Sequence, residues 1–184
     1  MARIKTITQT IYKFSELSEQ AKDKIRYSQE YFWGDDVVKT LEEALKHFNY
    51  QLRNYSLDWD CFGRCSFTIE SKNLNDVEEL EGVRLWKYLQ NFLDYYCKYD
   101  KKRKPLLEGN CPFTGVCFDE DFLDPIREFI KKPYSITFND LMEECCNGVI
   151  LTGCKDYEYQ QSDEALEEHF EANDTEFDED GNIA

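Results

Sequence analysis

YQLRNYSLDWDCFGRCSFTIES, residues 50–71, is where the hydrophobic pattern of the chain changes its period. Cys65, Phe67 and Ile69 alternate with Ser66, Thr68 and Glu70, a repeat of two that places one set on each face of a strand. Gly63 stands near the turn, so YQLRNYSLDWD and FGRCSFTIE read as the two arms of a hairpin. On either side of it the apolar residues recur at helical spacing. The fold class that follows is α+β: a small antiparallel sheet of about three strands packed by about five to six helices, in a single domain.

The third strand is expected at residues 3–13, where Ile4, Thr6, Thr8 and Thr10 lie on one side and Lys5, Ile7, Gln9 and Ile11 on the other. FSELSEQAKDKIRYSQEYF then offers Ser15 or Ser18 as N-cap and a stripe of Leu17, Ala21, Ile25, Ser28 and Phe32, ended by Gly34. Asp35 or Asp36 caps a second helix with Val37, Val38, Leu41, Ala44, Leu45 and Phe48 on one face. Beyond the hairpin, Leu85, Trp86, Leu89, Phe92, Leu93 and Tyr96 share a face, and Gly82 marks a break before them. Lys98, Lys101, Lys102, Arg103 and Lys104 form a basic, exposed loop. DEDFLDPIREFIKKP is a helix with acids in its first turn and lysines in its last, as the macrodipole favours. Thr137 caps the next, with Phe138, Leu141, Met142, Cys145 and Val149 buried. Residues 1–155 are thus an α+β core, and residues 156–184 an acidic helix and tail packed on it.

That carboxyl end, KDYEYQQSDEALEEHFEANDTEFDEDGNIA, has no Lys or Arg after Lys155 and about a dozen Asp and Glu. With Ser162 as N-cap, Glu164, Glu167, Glu168 and Glu171 fall at i, i+3, i+4 and i+7, neighbours about 5–6 Å apart between Cβ atoms. Leu166, His169, Phe170 and Asn173 lie on the other side. Like charges at i+4 weaken an isolated helix by a few tenths of a kcal/mol each, so the stripe is an element retained at a cost.

The whole chain of 184 residues carries a formal charge of −16. A field of that sign repels phosphates and attracts basic surfaces, which disfavours direct binding to duplex DNA. The amino terminus MARIKTITQTIYKF lacks an apolar signal-peptide core, and no run approaches the roughly 20 apolar residues of a membrane span. The expected location is the cytoplasm of a host cell, with no membrane contact. Eight cysteines in a reducing compartment read as core thiols or metal ligands rather than disulfides.

No phosphate loop, nucleophile elbow or His-Glu-x-x-His motif occurs. The two histidines, His47 and His169, sit in predicted helices near apolar neighbours. Cys61 and Cys65, Cys111 and Cys117, and Cys145 and Cys146 lack zinc-ligand spacing. Asp178, Asp180 and Asn182 around Gly181 miss the twelve-residue calcium pattern. Neither a catalytic residue, a metal ligand nor a cofactor is assigned. A metal-dependent nuclease centre would draw on Asp58, Asp60, Glu70, Asp119, Glu120 and Asp121, with the Lys98–Lys104 loop on phosphate. That enzyme, and an accessory protein whose acidity serves only solubility, are the alternatives.

FSELSEQAKDKIR near the start and YEYQQSDEALEEHFEANDTEFDEDGNI at the end resemble a family of small acidic proteins carried by phages and mobile elements. The resemblance spans both ends and, in order of elements, most of the middle. It implies a non-enzymatic anti-CRISPR role: inhibition of a type II RNA-guided DNA nuclease holding its guide RNA. The chain departs from the family pattern at the hairpin, where DWDCFGRCSF replaces a more Gly- and Gln-rich turn. Such nucleases hold the heteroduplex in a basic channel and read the PAM with arginines. Carboxylates a few ångströms apart can take the place of phosphates there, whose charges recur every ~1.7 Å of duplex axis. The partner-binding residues this implies are Glu164, Glu167, Glu168 and Glu171, with Asp174, Glu176, Asp178, Glu179 and Asp180 beyond them.

Overall fold

The computed structural model of the chain describes residues 9–72, 77–96, 113 and 118–184, with the backbone alone for 91–96. The described residues hold six α-helices and one two-stranded antiparallel sheet, so the chain is α+β. By its internal contacts it divides into two compact units, residues 32–155 and residues 1–31 together with 156–184.

In the first of these, helix α2 (Gly34–His47) carries Asp35 and Asp36 in its first turn and Lys46 and His47 in its last, both favourable to the helix dipole. Its N-cap is Trp33, not either aspartate, so those two acids act through the dipole without capping. Val37, Leu41, Ala44 and Leu45 are fully buried, which follows from their 3.6-residue spacing. Asn49, at φ 59°, turns the chain directly into strand β1 (Tyr50–Ser56). β1 pairs with β2 (Ser66–Ser71), Tyr50 opposite Ser71, Leu52 opposite Ile69 and Ser56 opposite Ser66, with an irregularity between Leu52 and Asn54. Along β2, Phe67 and Ile69 are half-buried while Ser66, Thr68 and Glu70 are exposed, the alternation of period two.

Helix α3 (Gly82–Tyr96) begins at Gly82, whose φ of 53° favours glycine. It buries Leu85 and Leu89, and the Trp86 indole N–H donates to Ile130 O at 3.2 Å. Helix α4 (Phe118–Lys131) packs on α2, where Phe48 and Phe122 stack with centroids 6.0 Å apart. Helix α5 (Phe138–Gln160) is capped by Thr137, whose Oγ1 accepts from the Asp140 N–H at 3.1 Å. It continues to Gln160, and its residues from Asp156 onward belong to the other unit.

Pro125 lies inside α4 and has no N–H to give the carbonyl of Asp121. Gly148 of α5 fills the space beside that carbonyl: a Cβ on residue 148 would sit 2.9 Å from Asp121 O. Thr152 Oγ1, one turn on, donates to Asp121 Oδ1 at 2.8 Å. Gly148→Ala is therefore expected to destabilise the protein by about 1–2 kcal/mol, because pushing α4 from α5 outweighs the ~1 kcal/mol that alanine adds to a helix. Urea unfolding checks it, and a variant as stable as the parent would show that the two backbones are not so closely packed.

The expected third strand does not join the hairpin among the described residues; residues 3–8 lie outside them. Tyr12 instead makes an isolated antiparallel bridge to Phe177, its N–H donating at 2.8 Å and its carbonyl accepting at 2.9 Å. Both backbone groups that a ladder would need are used there. Helix α1 (Glu19–Ser28) ends earlier than its apolar stripe suggests. The Ser28 hydroxyl donates to Ile25 O at 2.7 Å, side-chain competition that suits a terminus, and Phe32 is left 75% exposed. Gly34 opens α2 rather than closing α1.

Candidate acidic interface

Helix α6 (Asp163–Ala172) forms where sequence capping rules place it, with Ser162 Oγ accepting from the Ala165 N–H at 3.2 Å. Its apolar face is narrow: Leu166 and Phe170 are buried, whereas His169 and Asn173 are exposed. Leu166 and Phe170 join Phe14, Leu17, Ala21, Ile25 and Phe177 in one cluster, so the small core of this unit is drawn from both ends of the chain. Phe170 is its hub, 5.6 Å from the Phe14 ring and 4.9 Å from that of Phe177, edge to face in the second case.

The helix ends in a Schellman arrangement. Thr175 N–H donates to Phe170 O at 2.9 Å and Asp174 N–H to Glu171 O at 3.2 Å, with Asp174 in the left-handed region at φ 50°. Glycine would occupy that position without strain, but an aspartate holds it, adding a carboxylate where the helix stops.

Asp163, which sequence reading passed over, is the clasp that orients α6. Lys22 Nζ donates to its Oδ2 at 3.1 Å and Arg26 to its Oδ1. Lys22 is only 9% exposed, lies 5.4 Å from the Phe14 ring centroid and has Glu19 at 3.5 Å. The Arg26 and Lys22 hydrogen bonds hold the Asp163 carboxyl below the usual carboxylate range, and Asp163 in return raises both bases. The only sequence signal for this was an acid in the first turn after a capping serine.

Because Asp163 is about half exposed, Asp163→Asn is expected to cost only about 1–2 kcal/mol at neutral pH. A carboxyl depressed by folding stabilises fully above its unfolded value of ~3.9 and loses that contribution as pH falls through the folded value. Parent and variant should therefore differ at pH 7 and converge toward pH ~2. Denaturant curves at the two pH values check this; a constant gap would assign the loss to packing.

The carboxylates expected to meet a partner fall into two groups. Glu164, Glu168, Glu171, Asp174, Glu176, Glu179 and Asp180 are exposed and Glu167 is half-buried; none of their side chains has an ion pair or hydrogen bond among the described residues. Glu167, Glu171, Asp174 and Glu176 border a depression of about 140 Å³ whose floor includes Phe14 and Phe170 and whose rim includes Lys13.

Asp178 differs. Its carboxylate accepts from the Asp180 N–H at 3.0 Å and from the backbone and side chain of Asn182 at 2.9 and 2.8 Å. Those Asn182 bonds hold it below the usual carboxylate range. Asp178 is half-buried, and its carboxylate shapes the last turn through these bonds. Lys24 Nζ completes that turn, donating to Asn182 Oδ1 at 2.7 Å and Asp180 O at 3.1 Å. Gly181, at φ 78°, lets the turn close against Ala21 O, where a Cβ would approach to 2.9 Å.

Most carboxylates suggested for a metal centre are engaged locally. Asp58 pairs with Arg64, Glu70 with Arg53 and Gln51, Asp119 with the Phe113 N–H, Glu120 with Arg127, and Asp121 with Thr152. No group of three His, Cys, Asp or Glu among the described residues is placed to hold a metal ion. The Lys98–Lys104 loop and Cys111 and Cys117 lie outside the described residues. No helix among the described residues is long and apolar enough to cross a membrane. Comparison with known proteins finds no matching family model, no matching curated protein and no matching solved structure.

Proposed function

We propose that this protein is a non-enzymatic anti-CRISPR inhibitor, acting in the host cytoplasm on a type II RNA-guided DNA nuclease with its guide RNA, and that it blocks DNA binding or cleavage through the acidic surface of α6 and the following turn. The observation that carries this reading is the row of exposed, unpartnered carboxylates on α6, held by a packed face and an Asp163 clasp. The packed helix backbone fixes the points from which the carboxylates project, so only the rotamer freedom of the side chains themselves is lost on binding. A basic channel built for phosphates is a complementary surface for such a row, with fast and salt-sensitive association expected. The sequence resemblance points to the same class of partner.

The test is plasmid cleavage by guide-loaded type II nucleases with and without the protein, alongside DNA binding at two salt concentrations. Loss of both activities, relieved by salt, supports occupation of a basic DNA site. Loss of cleavage alone keeps the inhibitor and discards the phosphate-mimicking surface. No effect on several such nucleases overturns the proposal.

A further inference from the structure

In the unit formed by residues 32–155, two thiols far apart in sequence meet at one backbone oxygen. The Cys65 thiol donates to Asp58 O at 3.3 Å, and the Cys154 thiol of α5 donates to the same oxygen at 3.7 Å. The Asp58 N–H donates to the Cys65 sulfur at 3.3 Å, fixing that side chain in place. A second contact holds the hairpin tip on α5: residue 153 is glycine, and a Cβ there would lie 2.9 Å from the Trp59 ring. Among the described residues, Cys61, Cys65, Cys145, Cys146 and Cys154 are free thiols. Cys145 and Cys146 are fully buried. Cys65 is half-buried and Cys154 is 8% exposed, so one member of the pair can meet a small oxidant and the other is shielded behind it.

We propose that Cys65 and Cys154 are a redox-responsive pair that closes to a reversible intramolecular disulfide, joining the hairpin tip to α5. With hydrogen peroxide as oxidant, the Cys65 sulfur attacks one peroxide oxygen, the O–O bond breaks, and water leaves with the thiol proton to give a sulfenic acid. The Cys154 sulfur then attacks the Cys65 sulfur, the S–O bond breaks, and the departing hydroxide takes the Cys154 proton as a second water. Two thiols lose two electrons in all, and one peroxide is reduced to two waters. Closure requires the side chains to turn from the shared carbonyl until the sulfurs are ~2.05 Å apart. Cys65 is the more exposed of the two and is the residue a dissolved oxidant reaches first, while burial pushes the Cys154 thiol up to about 12. A thiol reductant restores both groups.

The experiment is hydrogen peroxide treatment of the full chain at neutral pH, alkylation of remaining thiols, proteolysis and mass mapping. The expected result is a peptide linking Cys65 to Cys154, a mass lower by about 2 Da, and loss of both features on reduction. In Cys154→Ser, Cys65 is expected to persist as a sulfenic acid trapped by dimedone; in Cys65→Ser, Cys154 is expected to stay alkylatable after oxidation. Linkage of Cys65 to Cys61 or to any other cysteine, or recovery of both thiols in alkylated form after oxidation, overturns the proposal.

Discussion

Replacement of Glu164, Glu168 and Glu171 together by lysine is expected, on the proposed function, to weaken binding to a type II nuclease by about 100-fold and to abolish inhibition at ordinary working concentrations. Each side chain is exposed and unpartnered, so each reversal removes an attraction of up to ~1 kcal/mol and adds a repulsion at a basic site. Three such changes amount to about 3 kcal/mol, or roughly two factors of ten in affinity. The remaining binding should depend less steeply on salt, because fewer charges are neutralised in the complex. Stability should move by no more than about 0.5 kcal/mol per site, since none of the three side chains contributes to the core. Relief of carboxylate repulsion along the helix opposes the cost of a lysine in its first turn. Inhibition assays with the folded triple variant check the result, and an unchanged inhibition constant would remove α6 from the interface.

Phe170→Ala is expected to cost about 3–5 kcal/mol in the unit that carries the acidic face. The side chain is 6% exposed, and its ring contacts both Phe14 and Phe177. Among the described residues the cluster around it has seven buried members, so few neighbours remain to collapse into the cavity. Amide exchange of α1 and α6 is the direct measurement, and protection there should be largely lost. Retention of parental protection would mean that the hydrogen-bonded clasps, rather than the aromatic cluster, hold the unit. The two substitutions separate the parts of the proposal: one removes charge from an intact helix, and the other removes the packing that fixes the charges in place.

The hairpin and the helices around it were legible because each follows a local rule. Alternation from Cys65 to Glu70 gave β2, the 3.6-residue stripe from Val37 to Leu45 gave α2, and Ser162, Ser18 and Thr137 cap the helices they precede. Errors arose where a residue has two local uses. Phe32 continues the α1 stripe in spacing yet lies outside the helix, because Ser28 supplies a competing hydrogen bond that marks the end. Gly34 could close one helix or open the next, and spacing alone does not choose. The β-branched run before Tyr12 has strand propensity, but propensity says nothing about which backbone will accept its hydrogen bonds.

The acidic site was legible in part for the same reason. Charge and helical spacing identified Glu164, Glu167, Glu168 and Glu171 as one stripe, and the absence of Lys and Arg beyond Lys155 marked the region as a whole. Asp178 looked equivalent to its neighbours in composition but is occupied by Asn182, and Asp163 looked like one more acid but is the clasp for Lys22 and Arg26. By itself, then, the sequence determined the fold class, where most helices start, the net charge of −16 and the placement of acids along α6, since these depend on composition or on residues within a few positions of one another. Only the tertiary structure decided that residues near 14–25 and 163–177 share a core, that one acid is paired and the next is free, and that Cys65 meets Cys154. Those facts depend on contacts between residues far apart in sequence, which local periodicity and charge do not encode.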